Sequence, residues 1–191
     1  MVLDGLTVTG AAVIGTLGTG RPLSDPAHLL AHARIRQAAY LLGLGLGAHE
    51  LAVAYARGRH QFGRPILGHQ AVAFSLAQGR IALSAARLAV YRAAWLADAS
   101  AGEGRSPTDE DLALATDEDV ALAAAEALAS TADTALRVIR SAVQIHGARG
   151  LSVEYPVHAF YRTARDAGTR LGPSGPLWTE AGIRRLATYE R

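Results

Sequence analysis

The chain has no cysteine among its 191 residues. Structural disulfides, thiolate nucleophiles and zinc–thiolate centres are therefore excluded. Lysine is also absent, so all 19 basic side chains are arginine. They are spread along the chain, and the formal net charge is only +2. No basic tract of the kind that binds nucleic acid is present. Aromatic residues make up only 6%. The longer apolar runs are broken by Arg, Gln, Glu or Asp before they reach the length of a membrane span. No charged segment followed by an apolar core opens the chain, as a secretory signal would. These absences predict a cytoplasmic protein that contacts neither nucleic acid nor membrane.

Half of the residues are hydrophobic, with alanine and leucine prominent, and both are strong helix formers. The length suits one domain with a proper core. Residues 1–24 are rich in Gly, Thr and Val and read as an arm with short strands. Residues 25–191 read as an all-α, antiparallel up-down helical bundle. Ser24-Asp25-Pro26 is a helix start, with a capping oxygen and then proline in the first turn. That helix should run to about Arg59, with Gly43, Gly45 and Gly47 inside it. Each of these glycines costs about 1 kcal/mol relative to alanine in a helix interior. Close helix packing is the first explanation, and a smooth wall beside a ligand is the second. The next helix should span about Ile66 to Ser100, with Val72, Leu76, Leu83, Leu88 and Trp95 as its buried stripe. An acidic segment, Asp109 to Asp119, feeds a third long helix ending near His146. Its acids lie early and Arg137 and Arg140 late, as the helix dipole prefers. A short helix should follow Glu154-Tyr-Pro156. Gly168 to Pro176 reads as a loop and Leu177 to Tyr189 as a last helix.

Two segments carry chemistry. The first is Tyr55-Ala-Arg-Gly-Arg-His-Gln-Phe-Gly-Arg-Pro65, an arginine-bearing helix end followed by a sharp turn. The second is Gln144-Ile-His-Gly-Ala-Arg-Gly-Leu-Ser-Val-Glu-Tyr-Pro156. The first resembles the "YARxRxQFGxPI" segment of the acyl-CoA dehydrogenases. His69-Gln70-Ala-Val is similar to the "FQA" that follows it there. The second resembles their "QxxGG…EYPV" segment. Leu3 to Gly15 resembles the last strand region of the family's middle β-domain. The resemblance covers nearly the whole chain and implies the family's C-terminal helical domain. It does not extend to the family's N-terminal helical domain or to most of its β-domain.

In that family FAD lies at a subunit interface. Carried over, the resemblance implies that Arg59, Gln61, Phe62, Gln144 and Gly147 reach its diphosphate and adenine end. Arginine offers a charged fork to pyrophosphate oxygens. Glutamine supplies donor and acceptor, and glycine lets backbone approach a ligand. Taken singly, Arg59 and Gln61 could cap a helix end, Phe62 could be core and Gln144 could satisfy backbone.

Three departures bear on activity. The resemblance does not extend to the domains that, in the family, hold most of the flavin and acyl-CoA. Ala148 stands where the family has a second glycine. The family's base is a glutamate, and the two registers available here place Leu171 or Trp178 at its position. Glu180 lies near the second register and is the candidate displaced base, although a first-turn carboxylate is its ordinary explanation. Ala33, at the alternative base position, cannot act. His49, beside Glu50 on the glycine-rich helix, is a second candidate acid or base, against a hydrogen-bonded bundle histidine. His28 and His32 share a helix face at i, i+4, and no carboxylate triad completes a metal site.

Three functions follow. One is a subunit that gives the diphosphate edge of a shared FAD site to a heteromeric acyl-CoA dehydrogenase, with a longer partner chain of the same family or as an oligomer of at least two copies. Its substrate would be an acyl thioester. Another is a flavin-independent cyclase, isomerase or lyase acting on an apolar small molecule. The third is a non-catalytic stabilising subunit.

Overall fold

The computed structural model describes residues 26–100 and 116–189. The expected arm at 1–24, the cap Ser24-Asp25 and the segment 101–115 lie outside these residues. Among the described residues there are five α-helices. They are α1 (Pro26–Gly58), α2 (Gln70–Ser100), α3 (Asp117–His146), α4 (Pro156–Ala167) and α5 (Ser174–Tyr189). A two-stranded hairpin joins α1 to a single 3₁₀ turn, Ile66–Gly68, ahead of α2. Its strands are β1 (His60–Gln61) and β2 (Arg64–Pro65), and they pair antiparallel. The expected all-α bundle of three long and two short helices is therefore present, and the hairpin is an addition to it.

Helix α3 is the centre of the bundle and touches each of the other four. Its buried face is mostly alanine, with Val120, Leu128, Val138 and Ile139. Small side chains let the neighbours approach closely. Gly45 belongs to the same device: a Cβ there would lie 2.7 Å from Leu83 and 3.3 Å from the Ala135 backbone. At Gly47 a Cβ would lie 2.7 Å from the Phe160 ring. Helix packing thus explains both glycines. Gly43 is exposed, with nothing within 4 Å of its missing Cβ. Helix α1 is long and apolar enough by composition to cross a membrane. In the bundle its Ala31, Ile35, Ala38, Leu41, Ala48 and Ala52 are core.

The expected stripe of α2 is half right. Leu76 and Leu83 are buried and Val72 packs against the core. Leu88 and Trp95, however, are 68% and 50% exposed. The buried line continues instead through Ala86, Val90, Ala93 and Ala97. Seven residues fall about 20° short of two helical turns, and the small residues are the ones that fit against α3. Helix α5 also begins earlier than expected, at Ser174 rather than Leu177. Pro176 sits in its first turn, where a missing N–H costs nothing.

Helix α3 starts at a reciprocal cap. The Thr116 Oγ accepts from the Asp119 N–H (3.2 Å), and Asp119 Oδ2 accepts from the Thr116 N–H (3.0 Å) and Oγ–H (2.8 Å). The bonds from the Thr116 backbone and hydroxyl hold the Asp119 carboxyl below its ordinary range, and Arg92 and Arg185 add to this. A depressed folded pKa gives stability that is present above the unfolded value and lost as pH falls through the folded one. Asp119→Ala should therefore cost about 1 kcal/mol at pH 7. In urea melts its gap from the parent should narrow steadily below about pH 4. A gap independent of pH would contradict the ionic part of the cap.

Candidate functional site

The first motif is shaped by its hairpin. Arg59 donates its N–H to the Tyr55 carbonyl (2.9 Å) and accepts from the Ile66 N–H (2.8 Å), so the chain folds back on the end of α1. The two residues between the strands, Phe62 and Gly63, both have positive φ, 52° and 77°. Type I′ hairpin turns require this, and it is unusual for a phenylalanine. Phe62 is 92% exposed, which removes its reading as a core residue. His69 braces the turn from α2's approach. Its Nε2–H donates to the Gln61 carbonyl (3.3 Å), and its Nδ1 accepts from Arg64 (3.2 Å). The Arg64 contact needs a bare Nδ1, so the pair fixes the Nε2–H tautomer.

The second motif caps α3. Gly147 has φ 61° and donates its N–H to the Gln144 carbonyl. That N–H is thus used locally, and the glycine's contribution is its left-handed turn and open space, with nothing within 4 Å of its missing Cβ. Gly150 is required for another reason, since a Cβ there would lie 2.5 Å from the Val143 carbonyl. His146 is buried. It bonds the Ala142 carbonyl through Nδ1 (2.7 Å) and stacks on Tyr55 at 4.3 Å. This stack ties the end of α1 to the end of α3.

The two motifs therefore meet. Arg59, Gln61, Gly147, Ala148 and Arg149 line one groove of about 410 Å³. Gln61, Phe62 and Gln144 line a second, of about 460 Å³, with the apolar Ile66, Val72 and Ile145. Gln61, Ile66 and Ile145 border both grooves, so all five residues expected to touch a cofactor lie on one continuous surface. Two guanidinium-bearing residues flank the first groove and amides flank the second. Cation, amide and open glycine are the donor set a diphosphate needs, with an apolar shelf beside it for a ring. Ala148 is exposed on the groove wall.

The two candidate acid–base residues are not together. Glu180 is held by Arg34 (3.3 Å) and Arg184 (3.2 Å). Arg34 also donates to the Leu171 carbonyl (3.3 Å), fastening α1 to the approach and first turns of α5. Trp178 donates its indole N–H to Asp133 (2.9 Å). His49 lies fifteen residues beyond Arg34 on α1, about 22 Å along the axis at 1.5 Å per residue. It is 8% exposed and donates from Nε2 to the Leu76 carbonyl (2.9 Å). His28 and His32 lie ring to ring at 4.4 Å, and among the described residues no His, Asp or Glu cluster completes a metal site with them.

His49 opens onto a third cavity, of about 330 Å³, lined also by Ser75, Gln78, Gly79, Arg137 and Ser141. The Ser75 and Ser141 hydroxyls share a hydrogen bond (2.5 Å) and border the second groove as well. This cavity is not apparent from sequence, apart from one signal: Gly79 is a mid-helix glycine. A Cβ there would meet His49 and Val138 at an ordinary 3.5 Å. Packing does not demand the glycine, and its effect is to leave space.

A helical bundle carrying a cationic and amide-lined groove at one end is the class that fold and site define. The chain belongs to the acyl-CoA dehydrogenase family: residues 24–175 match the model of the acyl-CoA dehydrogenase C-terminal domain. A 3-(aryl)acrylate reductase of Clostridium sporogenes is 33% identical over 165 residues, which are 86% of this chain and 39% of that protein. The structure of butyryl-CoA dehydrogenase from Megasphaera elsdenii superposes with a TM-score of 0.70 at 32% identity, covering 84% of this chain and 38% of that one. The Tcur3481-Tcur3483 steroid ACAD superposes with a TM-score of 0.70 at 26% identity, covering 86% and 41%. The chain thus spans about two-fifths of the length of the relatives it matches. Members of the family use FAD and are oligomeric.

Proposed function

We propose that this chain contributes the diphosphate edge of an FAD site to an oligomeric acyl-CoA dehydrogenase, whose remaining domains come from a longer homologous chain. The observation that carries this reading is the meeting of Arg59, Gln61, Phe62, Gln144 and Gly147 on one surface. The two-chain designation of the Tcur3481-Tcur3483 steroid ACAD supports the heteromeric form. When bound, flavin supplies the two-electron acceptor for oxidation of an acyl thioester. The residues here bind and orient its phosphates. The α-proton is left to the partner, because Glu180 is engaged by Arg34 and Arg184, on α1 and α5, and neither Leu171 nor Trp178 can accept a proton. The complex would work in the cytoplasm. The test is co-purification with a longer homologue, followed by visible spectra with and without added FAD. A yellow complex is expected. A colourless complex that takes up no FAD would refute the proposal.

The third cavity favours a second reading, a flavin-independent acid–base enzyme acting on a small molecule. Its volume lies at the small end of ligand pockets, and His49, Ser75, Gln78 and Ser141 offer polar contacts to an occupant. On this reading Gly79→Leu, which fills the cavity, abolishes ligand-induced shifts of the His49 ring resonances in NMR. It should leave FAD uptake by the complex unchanged. Unaltered ligand shifts in the filled variant would eliminate the reading.

A further inference from the structure

The lining of the third cavity is graded from rim to floor. Gln78 and Arg137 are exposed at its rim, and Ser75 and Ser141 are half-buried on its walls. The His49 ring is buried, with Leu76 and Val138, and forms the floor. Three helices supply these groups: α1 brings His49, α2 brings Ser75 and Gln78, and α3 brings Arg137 and Ser141. An occupant therefore meets a cation on entering and an imidazole last.

The polar groups have bonding capacity left over. His49 donates from Nε2 to the Leu76 carbonyl, so in the neutral ring Nδ1 is an acceptor. Nδ1 bonds no described residue and is not sealed in the core. The two serine hydroxyls carry two hydrogens, and the bond between them uses one. Arg137 has a single long contact, to Thr134 Oγ1 at 3.5 Å, and forms no ion pair among the described residues. The cavity thus offers an acceptor in its floor, an O–H on its wall and a fork of N–H donors at its rim. Gly79 keeps the middle clear, although its neighbours do not require a glycine.

We infer that this cavity binds a small organic monoanion: a carboxylic acid with a compact apolar body and a hydroxyl at its far end. The inference rests on the second reading above, that a small molecule enters here, and adds what that molecule must carry. A carboxylate matches the Arg137 fork, which can engage two oxygens at once. The lining holds one guanidinium and no second arginine, so a monoanion balances it better than a phosphate dianion. The apolar body lies against Leu76, Ala82 and Val138. The terminal hydroxyl donates to His49 Nδ1, an acceptor that no described residue reaches. A ligand without that donor expels water and leaves the acceptor unmet, which weakens binding.

The probe is 4-hydroxybenzoate, titrated into the 191-residue chain while the His49 ring resonances are followed by NMR. Saturable shifts are expected. Benzoate, which lacks the hydroxyl, should bind up to about tenfold more weakly, and 4-hydroxybenzamide, which lacks the charge, about 10- to 100-fold more weakly. Arg137→Gln should weaken 4-hydroxybenzoate by the same 10- to 100-fold and leave 4-hydroxybenzamide unchanged. Its circular dichroism should match the parent's, because Arg137 is exposed. No shift with any of the three probes overturns the inference and the second reading together. Equal affinity for acid and amide, equal affinity with and without the hydroxyl, or an unchanged affinity in Arg137→Gln overturns the inference and leaves the second reading standing. Binding that survives Gly79→Leu but is lost in Arg59→Ala also overturns it, by moving the acid to the first groove.

Discussion

Gly45→Leu is expected to cost about 3 kcal/mol, the upper end of what overpacking typically costs. For a domain of this size, that lowers the melting midpoint by roughly 6–12 °C. The added Cβ alone would meet Leu83 at 2.7 Å and the Ala135 backbone at 3.3 Å. Leu83 and Ala135 are fully buried, so neither has space to yield. Relief would need α1 to move away from α3 along the longest seam in the bundle. Gly43→Ala, two residues earlier, is the control. Nothing lies within 4 Å of its Cβ, and φ is helical. That change should stabilise the protein by up to about 1 kcal/mol. Thermal unfolding of the two variants should therefore move in opposite directions. Equal shifts would mean that the glycines act through helix propensity and not through packing.

Arg59→Ala should weaken FAD uptake by the purified complex about 10- to 100-fold. A hydrogen bond to a charged group contributes about 1.5–3 kcal/mol, and 1.4 kcal/mol is a factor of ten. The side chain is exposed and its backbone bonds to Tyr55 and Ile66 do not depend on it, so folding should be intact. Arg59→Lys should recover only part of the loss, because an ammonium cannot engage two phosphate oxygens as a fork. Flavin titration by fluorescence, with circular dichroism as the folding check, separates these effects. A complex that binds FAD equally with Arg59→Ala would remove this turn from the cofactor site, whatever its ancestry.

Helix ends were the most legible part of the chain. Gly147 past the last turn of α3 and Pro156 at the head of α4 each mark a boundary by a local rule, and each stands where expected. The stripe of α2 was not legible in the same way. Its two faces are both apolar, so periodicity could not say which face turns inward. That choice is made by the packing of α2 on the bundle, which buries Ala86, Val90, Ala93 and Ala97 and leaves Leu88 and Trp95 outside. The site divides likewise. Arg59, Gln61 and Gly147 share a groove because two helix ends meet, and the motifs at those ends were visible. The His49 cavity depends on the register between α2 and α3, which no single segment records. Glu180 was drawn in by its nearness in sequence to the family's base. In the fold it pairs with Arg34 and Arg184, contacts that its position in the sequence does not announce.

The Tyr55–His146 stack has a consequence for how such a chain can diverge. It fastens together two segments that are far apart in sequence, so a lesion in either displaces the other. Drift at the ends of α1 and α3 cannot then proceed one motif at a time. Along the outer rim the constraint is absent, since Ala148, Gln144 and Phe62 stand in the open. New ligand preferences can accumulate there while the scaffold beneath stays unchanged, which makes the rim the natural place to look for what distinguishes this chain from its longer relatives.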